Sequence, residues 1–218
     1  MSIQELKQKG KSALKGNWGK LGVAVLITFA LLIFDALITI ALAPNYELFV
    51  NANGQLTIHP SVTALFVNYV VTIATTILLT APIGIGFWWF LIDLYDGKKM
   101  ASMEILQSWK QWGRIVQTFL WMILYLFLWS LLFTIPGIIK SYSYSLAFTL
   151  IKDNPDMRPH DAITESRRLM NGNKGKLFVL QLSFIGWLLI PLVNLFYGLP
   201  YMCMSMVAFE RSLVKKKS

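Results

Sequence analysis

The sequence predicts an all-α, polytopic integral membrane protein with about six transmembrane helices in three hairpins, each preceded by a cytoplasmic amphipathic interfacial helix. Three observations predict it. Apolar runs recur that reach the roughly 20 residues a helix needs to cross a bilayer, and only 14% of the residues are charged, against about a quarter in a soluble domain. Every Lys and Arg except Lys140 falls in residues 1–20, 93–115, 152–176 or 211–217, each flanking an apolar run, while the loop 44–61 holds none. That is the positive-inside pattern. Finally, one unit of amphipathic helix, elbow and hairpin occurs three times.

Residues 1–218 read as a single membrane domain. Residues 1–19 form a basic amphipathic helix: Ser2 and Glu5 make a capping-box pattern, and Ile3, Leu6, Gly10, Ala13 and Leu14 share one face. Such a helix is expected in the headgroup plane. The first hairpin spans 20–43 and 62–94. The run 21–43 ends Ala41-Leu42-Ala43, a small-x-small sequence, but it contains Asp35 and is too long for a signal core, so an uncleaved first crossing is expected. Asn53-Gly54 in the loop predicts a short β pair. Pro82, Gly84 and Gly86 interrupt the run 62–94, predicting a kinked pass.

Residues 101–115 form the second amphipathic helix and 116–151 the second hairpin, turning at Pro136-Gly137. Residues 159–174 form the third amphipathic helix, with Ala162, Ile163, Ser166, Leu169 and Met170 on one face. Residues 176–210 form the third hairpin or a long broken helix, and 211–218 a basic tail. The 116–151 and 176–210 segments are short enough that re-entrant arms are an alternative to full crossings.

The repeat shows in the elbows N-W-G-K-L (17–21), Q-W-G-R-I (111–115) and N-K-G-K-L (173–177), and in T-A-P (80–82) beside T-I-P (134–136). After each of the latter, the apolar arm ends at an Asp-bearing turn, Asp93–Gly97 or Asp153–Pro155. A basic residue after the elbow Gly can snorkel to lipid phosphates while the next residue enters hydrocarbon, which makes Lys20, Arg114, Lys174 and Lys176 candidate headgroup contacts.

The segments P-G-I-I-K-S-Y-S-Y-S-L-A-F, K-D-N-P-D, D-A-I-T-E-S-R-R-L-M-N-G-N-K-G-K-L-F and S-F-I-G-W resemble an uncharacterised integral membrane family of Gram-positive bacteria catalogued as domain of unknown function 975. The stretches A-L-K-G-N-W-G and F-W-W-F-L-I-D-L-Y-D-G-K-K extend the resemblance over nearly the whole chain. A-I-x-x-S-x-x-L-x-x-G is more weakly similar to the membrane domain of some glycerophosphodiester phosphodiesterases, whose catalytic domain is not present here. The resemblance implies a multi-pass protein of the bacterial cell membrane and implies no reaction; the basic residues that flank the apolar runs place both termini on the cytoplasmic side.

No catalytic motif is found, no cofactor or metal site is expected, and Cys203 is the single cysteine. His59 and His160 are expected on opposite sides of the membrane. The distribution of basic charge argues against nucleic acid and for anionic lipid headgroups, with a membrane-protein partner as the other expected contact. Asp35 lies about 22 Å along its helix from Lys20, and an intramembrane carboxylate is a functional candidate by default. Lys140, near the outer end of its arm, is the candidate partner; the alternative leaves Lys140 snorkelling outward and Asp35 protonated or near water. Asn68, Asn194 and Gln181 are read as interhelical hydrogen-bonding residues. The expected function is a non-enzymatic scaffold or accessory component of a transport or envelope system; the alternative is a small-solute transporter or channel using Asp35 and Lys140.

Overall fold

Where the apolar period is 3.6 residues the chain is helical. The computed structural model describes residues 1–42, 47–50, 54, 56–59, 62–98, 101–132, 134–189 and 197–215. Helix α1, Ile3–Leu14, opens on the expected capping box: Ser2 N–H donates to Glu5 Oε2 (3.1 Å) and Glu5 N–H to Ser2 Oγ (3.2 Å). Gly16, at φ 81°, then turns the chain into α2, Trp18–Leu42. The strands β1, Glu47–Val50, and β2, Leu56–His59, pair antiparallel with Glu47 opposite His59, as Asn53-Gly54 predicts. Helix α3, Val62–Thr75, continues through a π-helical turn at Thr76–Thr80 into α4, Ala81–Tyr95, with Pro82 in the first turn of α4. The kink signal of the run 62–94 is therefore met by a π turn within one continuous helix.

The second unit departs from expectation. A 3-10 helix, Ser102–Gln111, runs directly into α5, Trp112–Leu132. No elbow bends the chain at Gly113. The reason lies one turn upstream: the first and third elbows are immediately preceded by Gly16 and Gly172, both at positive φ (81° and 75°), and the second has no counterpart. The glycines of the G-K-L and G-R-I triplets, Gly19, Gly113 and Gly175, all lie inside helices. Pro136-Gly137 is not the hairpin turn either. Both lie within α6, Thr134–Tyr144, where Gly137 brings that helix close to Ser130 of α5. The return arm breaks at Ser145-Leu146 and resumes as α7, Ala147–Asp153.

Helix α8, Pro159–Leu169, is followed by α9, Lys174–Leu182, and a 3-10 turn at Ile185–Leu189. The expected break at Pro191, and Asn194, lie outside the described residues. Helix α10, Leu199–Val214, closes the chain, with Pro200 in its first turn.

The three amphipathic helices share one role. α1 packs along α10, the 3-10 helix 102–111 along α4, and α8 along α7. Each amphipathic helix thus seats on the return arm of the preceding unit, and the first seats on the last, closing a ring. Their apolar faces, Leu6 and Leu14, Ile105, and Ala162, Ile163 and Met170, are at most 1% exposed. This corrects the expectation that these faces lie on lipid: they are buried in protein, and their lysines and arginines face outward. Close approach is set by small residues. A side chain at Gly10 would collide with Ser205, and one at Gly86 with Ile105 and Ser108, while Ser166 Oγ donates to the Ser143 carbonyl (2.8 Å) and accepts from Leu146 N–H (3.1 Å).

The surface apolar groups are concentrated on other helices. Leu26, Phe34 and Ile40 of α2, Leu65 and Phe66 of α3, and Phe127 and Leu131 of α5 are all more than half exposed. Among the described residues, Trp18–Leu42, Val62–Tyr95 and Met103–Leu131 are long and apolar enough to cross a membrane. Contiguous exposed apolar area of this kind marks a membrane or protein interface.

Candidate functional site

Each return arm ends in charge, and the ring brings the three ends together. From α4 come Asp93, 4% exposed, and Asp96, followed by Gly97 at φ 76° and Lys98. From α7 come Lys152 and Asp153; from α10 come Glu210, Arg211 and Lys215. Asp93 is bridged by Lys98 (2.7 Å) and by Lys152. Arg211, 6% exposed, bonds Asp96 (2.5 Å) and Asp153, and Lys215 reaches Asp96 at 3.4 Å. Glu210, 3% exposed, accepts at a single oxygen, Oε2, from the Trp88 indole (3.1 Å) and the Thr149 hydroxyl (2.5 Å). Three aspartates therefore face four cations at one junction, with Glu210 held beside them by neutral donors. The hydrogen bond to Asp93 holds the Lys98 ammonium above its ordinary pKa.

Chemically, this junction ties elements together. Its carboxylates are engaged by fixed cations or neutral donors. No group of three or more His, Cys, Asp or Glu positioned to hold a metal occurs among the described residues.

Asp35 and Lys140 are not brought together. Asp35 Oδ2 accepts from Thr80 Oγ1 (2.6 Å) across α2 and the π turn, and Thr39 and Thr75 bond alongside (3.1 Å). Asp35 Oδ1 is buried with no hydrogen-bond partner among the described residues. Lys140 lies over the Trp129 ring, 4.1 Å from its centroid. Arg167 and Lys174 are within electrostatic reach of it, so it is not the isolated cation its place in the sequence implies.

Arg114 is engaged by protein: its guanidinium donates to Gln111 Oε1 (2.8 Å) and to the carbonyls of Asn154 (3.0 Å) and Met157 (2.5 Å), beyond the C-terminus of α7. Lys20 is exposed near the start of α2, and Lys174 and Lys176 are half-buried in the first turn of α9. Gln181 bridges helices as expected, accepting from the Tyr142 hydroxyl (2.7 Å). Arg211, read in sequence as part of a basic tail, is instead buried in α10. That misreading hid the junction. The signal for it was the repeated Asp-bearing turn, whose counter-ion sits on the third arm.

The family model described as "Protein of unknown function (DUF975)" matches residues 131–217. That stretch belongs to DUF975. The DUF975 segment carries α6 to α10, and with them Lys152, Asp153, Glu210 and Arg211 of the junction; Asp93, Asp96 and Lys98 lie outside it. No curated protein matches the chain, and no solved structure does.

Proposed function

We propose that the protein is a non-enzymatic, multi-pass scaffold or accessory component of a transport or envelope system in the bacterial cell membrane. The observation that carries this reading is the closed ring. Helices that elsewhere would be free to bind lipid or partners by their apolar faces are committed to internal packing, and the arm ends are locked by ion pairs, as suits a rigid platform. Six crossings fit the threefold unit: α2, α3 running into α4, α5, α6 with α7, and the two arms of the third hairpin, 176–210, whose second arm ends in α10. Both termini then lie on the cytoplasmic side with the charged junction, and the loop 44–61 lies outside.

The alternative, a solute path through Asp35 and Lys140, draws on the unpaired Asp35 oxygen. Against it, the two side chains have separate partners. Two measurements test the proposal. Reporter fusions at residue 54 and after Lys217 are expected to score external and cytoplasmic; an external score after Lys217 refutes six crossings. Proteoliposomes of the purified chain are expected to pass ions and small solutes no faster than protein-free vesicles. A flux that Asp35→Asn abolishes would establish the transporter instead.

A further inference from the structure

We propose that the α1–α2 elbow and the cleft beside it bind one anionic phospholipid, its headgroup in the elbow and an acyl chain in the cleft. This rests on the membrane reading above. A cavity of about 390 Å³ opens at the elbow, lined by Gln8, Lys11, Ser12, Lys15, Trp18 and Tyr197. Lys11 and Lys15 are four residues apart, on one side of the helix. Among the described ion pairs neither has a carboxylate partner. Ammonium groups on flexible stems bind phosphate as point charges. Trp18 stacks on Tyr197 with ring centroids 5.3 Å apart, the kind of aromatic pair that settles at headgroup level.

A second cavity, about 220 Å³, lies between α2, α4 and α10 and is lined by Val25, Thr28, Phe29, Leu32, Phe87 and Leu199. Trp18 and Val25 are about 10 Å apart along α2, and Tyr197 and Leu199 are two residues apart on the facing segment. The basic mouth and the apolar cleft therefore share one seam. Phe29, 51% exposed, and Leu32, 36% exposed, leave the cleft open to the side. A soluble anion would use only the mouth. A lipid of negative headgroup charge uses both, and the unpaired lysines select it over a zwitterionic one.

The test is native mass spectrometry of the full chain in detergent, titrated with dioleoyl phosphatidylglycerol, dioleoyl phosphatidylcholine or glycerol 3-phosphate. The first phosphatidylglycerol should bind roughly thirtyfold more tightly than phosphatidylcholine, the scale of two lysines near an anionic headgroup. K11Q/K15Q should erase that preference, while K9Q/K110Q, which removes the same charge elsewhere, should keep it. Thr28→Trp, which narrows the cleft, should weaken both lipids. Equal loss in the two lysine doubles, full displacement of phosphatidylglycerol by glycerol 3-phosphate, or no preference in the parent chain would overturn the proposal. A chain that does not insert into bilayers at all would instead overturn the membrane reading.

Discussion

Glu210 sits where two donors, the Trp88 indole and the Thr149 hydroxyl, converge on one oxygen. A glutamine carbonyl can accept both bonds, whereas a leucine leaves two buried donors unmet, each costing about 1–3 kcal/mol. Glu210→Gln should therefore stay within about 1 kcal/mol of the parent chain, the worth of a typical net hydrogen bond. Glu210→Leu should fall about 2–6 kcal/mol below it by the same accounting, measured by thermal unfolding in detergent. Equal stability of the two variants would show that the bonds do not matter. Arg211→Met is the harsher change, because it leaves Asp96 and Asp153 without their shared cation. Breaking a buried ion pair from one side costs about 3–5 kcal/mol. Adding Asp153→Asn to Arg211→Met should recover part of that loss; no recovery would mean that Asp153 is not held by Arg211.

Among the elements, close packing ranks three glycines. A Cβ at Gly86 would lie 2.1 Å from the Ile105 carbonyl oxygen, and one at Gly10 would lie 2.8 Å from the Ser205 nitrogen; both obstacles are backbone. At Gly137 the close atom among the described residues is Ser130 Oγ at 2.7 Å, which can rotate away. Overpacking costs about 1–3 kcal/mol, while Gly to Ala inside a helix returns about 1 kcal/mol of propensity. The expected order of thermal loss is Gly86→Ala, then Gly10→Ala, then Gly137→Ala, the last near neutral. A Gly86→Ala protein as stable as the parent would mean that the 3-10 helix can shift freely on α4. These contacts also mark what the sequence could and could not convey. The amphipathic period, the capping box and the β1–β2 pair are local patterns, and each is realised where the sequence places it. The identity of the surface facing each apolar stripe is not local: Leu6 and Leu14 look the same whether they meet lipid or α10. The junction was hidden for the same reason, since Asp93, Asp153 and Arg211 become neighbours only once three arms converge. The second elbow is straight because the repeated Gly-basic-apolar triplet does not bend the chain; the positive-φ glycine that does, Gly16 or Gly172, has no counterpart there.

At the scale of the whole molecule, the ring closes only because α1 returns to α10, the element farthest from it in sequence. Leu6 and Leu14 are buried there, and Lys7 donates to the Ser183 carbonyl (3.1 Å) while lying over the Phe184 ring, 4.4 Å from its centroid. Two fully buried leucines are worth about 3–6 kcal/mol together, a large share of the roughly 5–15 kcal/mol that holds a typical domain. Deleting residues 1–16 should thus lower the unfolding temperature sharply and speed proteolysis of α10, whose face at Ser205 is uncovered. The same deletion leaves the 3-10 helix on α4 and α8 on α7, so the damage should begin at one seam and spread. Hydrogen exchange distinguishes the cases. Early loss of protection in α10 alone, restored by a synthetic peptide of residues 1–19 added in trans, is the result expected of a ring closed by its first helix. Uniform loss that the peptide cannot restore would mean that α1 acts in folding rather than as the closing contact. Unchanged protection in α10 would mean that the ring stands without it.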